Sequence, residues 1–153
     1  LGAVLDSVLD LSGKELQNHQ IAVQRVDASD LPQVQANPDH LKQVFLNLIL
    51  NAIDAMPIGG ELRISSSLAE IQRGDADQRQ PAVRVEVSDT GCGMSPEMQA
   101  KLFEPFFTTK EQGAGLGLSI SYNIIEAHNG QISVSSEEGV GTTFTILLPV
   151  ASA

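Results

Sequence analysis

The hydrophobic pattern of the chain switches several times between helical and strand spacing. Apolar residues recurring three and four positions apart predict helices over 1–18, 37–56, 95–103 and 116–128. Alternating or β-branched apolar residues predict strands over 21–26, 31–36, 61–71, 82–90, 131–137 and 142–150. Because the strands come mostly in hairpins, we expect an α+β fold: a two-layer sandwich with a mixed, mainly antiparallel sheet of about five strands packed against three helices.

Residues with known end preferences mark the helix boundaries. Asn37 and Ser95 are candidate N-caps, and each is followed by a proline, which suits the first helical position. The Asn129-Gly130 pair predicts a left-handed stop after 116–128. The polar stretch 72–80 separates two predicted strands, so we expect a hairpin loop there.

Composition narrows the class of protein. The 153 residues suit one domain, and no apolar run reaches the length of about 20 residues that spans a bilayer. A single cysteine, Cys92, excludes an internal disulfide and favours a reducing compartment. The net charge of −10 argues against a nucleic-acid partner, and any bound polyphosphate would need local positive potential. Since the chain begins within a helical pattern, we expect a cytoplasmic fragment of a longer protein, without membrane contact of its own.

The segment NLILNAIDAM carries two amides on one helix face, because Asn47 and Asn51 are four residues apart. One interpretation is that both amides are satisfied by neighbours in the fold. The other is that their oxygens help to hold a hard cation such as Mg²⁺, which prefers oxygen ligands.

The segment SDTGCGM follows a predicted strand. Asp89 could accept a hydrogen bond from an exocyclic amine such as that of adenine, and Gly91 and Gly93 would allow a close backbone approach. The alternative is a plain turn in which Asp89 binds its own backbone.

Two further segments lie between that loop and the next helix. FEPFFTTK, residues 103–110, is too apolar for a free surface loop and could cover a pocket, although Phe103 also suits the core. Lys110 is either a phosphate contact or a solvated side chain. GAGLGL, residues 113–118, could bind phosphate through backbone N–H groups at a helix start, or be an ordinary turn. Its spacing matches neither the dinucleotide fingerprint nor the P-loop.

In this order and spacing, the four segments resemble the asparagine, first glycine, phenylalanine and second glycine boxes of the histidine-kinase catalytic domain. That domain belongs to the ATP-binding superfamily shared by gyrase, certain chaperones, histidine kinases and mismatch-repair ATPases. The resemblance runs from about residue 20 to residue 150 and includes the late segment GVGTTFTILLP. The boxes look most like those of nitrogen-regulation-type sensor kinases.

The resemblance implies a Bergerat-type fold that binds ATP and Mg²⁺. Asn51 would be the metal ligand and Asn47 would line the triphosphate site. Asp89 would bind the adenine amino group, helped by a water and by Thr142. Residues 103–115 would form a lid over the nucleotide. The full set of implied nucleotide contacts is Asn47, Asn51, Asp89, Gly91, Gly93, Met94, Thr108, Thr109, Lys110, Gly113, Gly115, Leu116, Gly117, Leu118 and Thr142.

Two positions bear on the reaction. Related ATPases carry a glutamate, the general base for water, where this chain has Asn47, so rapid hydrolysis is disfavoured. Many histidine kinases carry a basic residue where this chain has Asp54, which leaves open the side chain that takes its place. The alternatives to a histidine kinase are an ATPase or protein serine kinase of the same superfamily, and a degenerate, non-enzymatic module.

The phosphate acceptor is expected outside the chain. None of His19, His40 and His128 is followed by the acidic residue typical of acceptor histidines. The resemblance therefore implies transfer to a histidine of a separate dimerisation domain, with a response regulator as the indirect partner. We expect 1–18 to be a remnant of the dimerisation or linker helix and 19–153 to be the catalytic domain.

Overall fold

The computed structural model describes residues 1–72, 79–103 and 117–150. In chain order the helices and strands are α1 (Gly2–Asn18), β1 (Ile21–Asp27), α2 (Pro38–Ala55), β2 (Gly60–Gln72), β3 (Arg79–Asp89), α3 (Pro96–Lys101), α4 (Gly117–Ala127), β4 (Gln131–Glu137) and β5 (Gly141–Pro149). The strands form one sheet in the order β1-β2-β3-β5-β4. Only β1 and β2 run parallel, and the other three pairings are antiparallel. The predicted α+β fold with a mixed, mainly antiparallel sheet is confirmed.

The predicted strand over 31–36 is wrong. Among its residues only Val34 bridges to the sheet, through an isolated antiparallel contact with Val150. Pro32 has no N–H to contribute to a ladder, which confines such a run to edges and irregular segments. Strands β2 and β3 also extend into the predicted loop 72–80 from both sides, and residues 73–78 lie outside the described part of the chain.

One helical layer covers one face of the sheet. Helix α2 contacts both α1 and α4, and it also contacts β3. Its apolar stripe is fully buried, as the spacing predicts: Leu41, Val44, Phe45, Leu48 and Ile49. Four α1 residues, Val4, Leu5, Val8 and Leu16, belong to the same core cluster. Helix α1 therefore packs as part of this domain.

An arginine also ties α1 to the edge of the sheet. Arg25 of β1 forms ion pairs with Asp6 of α1 and with Asp27 of its own strand, the latter at 3.0 Å. The Arg25 guanidinium also donates to the Gly2 carbonyl at 3.3 Å. These contacts join the first helix to β1.

The helix ends are built as the sequence predicts. The Asn37 side chain accepts the backbone N–H groups of Asp39 at 2.9 Å and His40 at 3.4 Å. Ser95 accepts the Met98 N–H at 3.2 Å. Asn129 takes a left-handed φ of 63°, and the Gly130 N–H then reaches the Ile125 carbonyl at 2.9 Å, which closes α4.

Candidate functional site

Three neighbouring strands, β3, β5 and β4, each carry one inward-facing polar residue at the same end of the sheet. On β3 the inward positions are Val83, Val85 and Val87, and then Asp89. Asp89 is paired across the ladder with Thr142 of β5, and Thr142 is paired with Ser136 of β4. Because directly opposite residues point to the same face, these three side chains form a polar row against the apolar core.

Asp89 is a carboxylate held inside the protein. It is only 8% exposed, and its Oδ1 accepts the Gly91 N–H at 2.9 Å. The Thr142 N–H also donates to this carboxyl group. Burial raises the pKa of Asp89 from its ordinary value of 3.8, while the two backbone hydrogen bonds lower it. A carboxylate has about four acceptor sites, so further donors can bind Asp89.

The loop after Asp89 lies against two other parts of the protein. A Cβ on Gly91 would be 2.5 Å from the Ala55 carbonyl oxygen of α2, and the Cys92 N–H donates to that oxygen at 3.2 Å. Gly93 has a φ of 72°, and a Cβ there would collide with the Glu137 carbonyl of β4. The two glycines therefore allow the loop to fit between α2 and β4. This structural role is separate from any close approach of the loop to a ligand.

Helix α2 carries the two predicted amides towards the same end of the molecule. Asn47 is half-buried, and its Nδ2 donates to Ser121 Oγ of α4 at 3.4 Å. Asn51 is half-buried one turn later, and Asp54 is exposed in the last turn. Ala55, which contacts the Gly91–Gly93 loop, ends the helix. The structure thus brings the asparagine segment and the first glycine segment side by side.

The remaining predicted contacts are distributed unevenly. Met94 is partly buried beside the core, as is Leu118 in the first turn of α4, which begins at Gly117. Phe103 is also partly buried, with its ring centroid 5.5 Å from that of Tyr122, which agrees with a packing role. The following residues lie outside the described part of the chain: Thr108, Thr109, Lys110, Gly113, Gly115 and Leu116. Their predicted phosphate contacts stay predictions.

The donor groups suit a metal that is shared with a ligand. Among the described residues, no group of three or more His, Cys, Asp or Glu side chains is placed to hold a metal ion. Mg²⁺ usually keeps several waters and takes one or two protein ligands together with substrate phosphates. A single amide oxygen such as that of Asn51 fits this pattern, because a metal that is also held by phosphates and waters needs few protein ligands.

Two residues of the site were not identified from the sequence. Ser136 is the one polar member of the inward-facing β4 positions Ile132, Val134 and Ser136, and this break in the alternation was the available signal. Gln99 lies on the short helix α3, and its amide Nε2 donates to the Met94 carbonyl at 3.1 Å. Nothing in the pattern around Gln99 indicated that contact.

Comparison with known proteins identifies the family. Residues 36–152 match the model of the histidine kinase-, DNA gyrase B- and HSP90-like ATPase family. The sensor histidine kinase ZraS of Escherichia coli strain K12 is 37% identical over 150 residues, which are 98% of this chain and 30% of that protein. The chain therefore spans less than a third of the length of that relative.

Solved structures support the same conclusion. The catalytic domain of histidine kinase ThkA is 33% identical with a TM-score of 0.79, over 98% of this chain and 92% of that one. Full-length ShkA in complex with AMPPNP is 30% identical with a TM-score of 0.79, over 99% of this chain and 30% of that one. The chain belongs to the histidine kinase-, gyrase- and HSP90-like ATPase family, as a histidine-kinase-type catalytic domain. No helix within the described residues is both long and apolar enough to cross a membrane.

Proposed function

We propose that this chain lies in the cytoplasm, binds Mg-ATP and presents the γ-phosphoryl group to a histidine of a separate dimerisation domain in the same sensor kinase. The observation that carries the proposal is the buried carboxylate of Asp89, which is fixed by backbone N–H groups and flanked by Thr142. A fixed acceptor of this kind suits the amino group of adenine. The AMPPNP complex of ShkA supports a nucleotide in this fold.

The phosphate end of the site is assigned to α2. Asn51 lies on the side of the helix that leads to the Gly91–Gly93 loop, one turn before the Ala55 contact. Its amide oxygen is the proposed protein ligand of Mg²⁺, which would neutralise charge on the triphosphate when bound. Because the chain carries a net charge of −10, such local neutralisation is needed for a polyphosphate to bind.

The residue before Asn51 on the same face favours a kinase over a hydrolase. Asn47 is an amide that donates to Ser121, and an amide does not take a proton from water at neutral pH. The chain would therefore position ATP without activating water. The attacking group and its acid–base partner would come from elsewhere.

The described histidines have structural contacts. The Nε2 of His128 accepts the Asn37 N–H at 3.1 Å, and its Nδ1 contacts the Ile124 carbonyl at 2.7 Å. The His40 ring lies edge-on to the His128 ring, and His19 contacts the Glu15 carbonyl at 2.9 Å. These contacts support an acceptor histidine on the dimerisation domain. We further propose that α1 continues into that domain, with a response regulator acting downstream.

The test combines this chain with its own dimerisation domain, Mg²⁺ and γ-labelled ATP. We expect label on the dimerisation domain and none on this chain alone. Asn51→Ala should lower the transfer rate by at least about 100-fold, since the metal and triphosphate lose their proposed ligand. Gln43→Ala, an exposed change on the same helix, is the matched control and should leave the rate unchanged.

Three outcomes would contradict the proposal. Phosphohistidine formed on this chain alone would place the acceptor within it. Substantial Mg-dependent release of phosphate would indicate an ATPase. The absence of binding to ADP at millimolar concentration would indicate a non-enzymatic module.

A further inference from the structure

Hydrogen bonds to the backbone N–H and the backbone carbonyl of Met94 hold the loop over residues 90–94 on β4. The Met94 N–H donates to Ser136 Oγ at 2.8 Å. The Gln99 Nε2 donates to the Met94 carbonyl and to the Ser136 carbonyl, each at 3.1 Å. A primary amide has two hydrogens, so Gln99 satisfies both carbonyls at once and bridges the loop, α3 and β4.

The same Ser136 hydroxyl also contacts the nucleotide side of the polar row. It donates to the Gly141 carbonyl at 3.1 Å and lies 2.8 Å from Thr142 Oγ1. A hydroxyl has one hydrogen and two acceptor sites. We assign the Ser136 hydrogen to the Gly141 carbonyl, which can only accept. With one acceptor site filled by Met94, Ser136 then accepts the hydrogen of Thr142 at its second site.

With this assignment, Thr142 is the donor in its bond to Ser136. Once its hydrogen is donated to Ser136, the Thr142 oxygen can offer only acceptor sites to a ligand. Asp89, its directly paired neighbour on β3, is also an acceptor. Two adjacent acceptors can each receive a hydrogen bond from an amino group, which carries two hydrogens. A keto oxygen carries no hydrogen and would be repelled by both acceptors.

We propose that Ser136 and Gln99 are positioning residues of the nucleotide site: both fix the 90–94 loop on β4, and Ser136 holds Thr142 as a second acceptor beside Asp89. This inference rests on the proposed function, in which Asp89 binds the amino group of adenine. The two residues make different contributions. Ser136 affects the discrimination between 6-amino and 6-keto purines, whereas Gln99 affects only the position of the loop.

The experiment measures calorimetric dissociation constants for Mg-ADP and Mg-IDP, since IDP differs from ADP by a keto group in place of the amino group. We expect Ser136→Ala to weaken ADP binding about tenfold and to reduce the preference for ADP over IDP by a similar factor, because Thr142 is then able to donate. Ser136→Thr, which keeps the hydroxyl, should restore the preference. Ser135→Ala, an exposed neighbour on the same strand, is the matched control and should bind like the wild type.

Gln99→Met keeps the side-chain length without the amide. It should weaken ADP and IDP binding by the same factor and leave their ratio unchanged. Thermal unfolding of each variant shows whether it is folded. If Ser136→Ala does not fold, Ser136→Cys takes its place, since a thiol of similar size is only a weak hydrogen-bonding group.

These outcomes distinguish a failure of this inference from a failure of the proposed function. A wild-type chain that binds neither nucleotide would contradict the proposed function itself. A wild-type preference for ADP that survives unchanged in folded Ser136→Ala or Ser136→Cys would overturn the role of Ser136. A changed ADP-to-IDP ratio in Gln99→Met would overturn the assignment of Gln99 to loop position alone.

Discussion

His128 and Asp89 lie at opposite ends of the sheet, and backbone groups hold both of them. At one end, the C-terminal end of α4 meets the N-terminal end of α2, and the His128 ring joins them through Ile124 and Asn37. At the other end, the C-terminal end of α2 meets the loop after β3, where Gly91 and Thr142 hold Asp89. Both groups lie where two elements converge.

The difference lies in the bonding capacity that remains. Both ring nitrogens of His128 are used, so the ring is complete as a structural link. Asp89 has about four acceptor sites and two backbone donors, and its charge is buried at a cost in stability. A polar group that costs stability and keeps unused capacity is better explained by ligand binding than by folding. Variants at both ends of the sheet test this contrast.

The largest effect is expected for Asp89→Asn. A hydrogen bond to a charged group contributes about 1.5–3 kcal/mol, so ADP should bind about ten- to a hundredfold more weakly by calorimetry. The free energy of unfolding should stay the same or rise, because the variant no longer buries a charge. Glu86→Gln, on the other face of β3, serves as the control with unchanged affinity. Parallel losses of affinity and stability would make Asp89 a structural residue like His128.

Gly93→Ala should disturb the site through its backbone. The left-handed φ and the collision with the Glu137 carbonyl should cost about 1–3 kcal/mol in chemical denaturation and weaken ADP binding. Gly139 offers a matched control, because its φ of 79° is similar but a Cβ there would meet nothing within 4 Å. Gly139→Ala should cost about 1 kcal/mol with unchanged affinity. Equal effects on binding from both variants would contradict the close fit of the Gly93 loop.

His128→Ala should have the reverse profile of Asp89→Asn. Loss of the link between α2 and α4 should lower the free energy of unfolding by about 1–2 kcal/mol, and ADP affinity should stay within about twofold of the wild type. His19→Ala removes a ring that hydrogen-bonds to the Glu15 carbonyl of the preceding helix, and it should change stability by less than about 0.5 kcal/mol. A large loss of nucleotide affinity in His128→Ala would remove the contrast between the two ends.

The smallest effect is a dependence on pH. Since burial raises the pKa of Asp89 above 3.8, the folded state holds the proton more tightly than the unfolded state. The wild type should therefore lose stability relative to Asp89→Asn as pH rises from about 4 through the raised pKa, and the difference should then level off. Denaturant titrations of both proteins across that range measure it. A wild type that gains stability relative to Asp89→Asn as pH rises would mean that Asp89 has a lowered pKa.

Local patterns predicted the elements well where spacing and end residues agreed, as in α2 with its buried stripe, its Asn37 cap and Pro38. They failed for 31–36, where an apolar run without a ladder partner looked like a strand. The segment containing Asp89 was recognised from its glycines. The row formed by Asp89, Thr142 and Ser136 depends on the register of three strands, which the pattern of a single segment does not determine. Gln99 acts across three elements, so only the folded structure reveals it.

The central claim is that Asp89 selects adenine in a kinase catalytic domain, and nucleotide discrimination tests it most directly. Calorimetry of Mg-ADP and Mg-IDP should show at least about tenfold tighter binding of ADP to the wild-type chain. In Asp89→Asn that preference should vanish or reverse, because an asparagine amide can donate to the keto oxygen. Equal affinity of the wild type for both nucleotides, or an unchanged preference in the variant, would contradict the account.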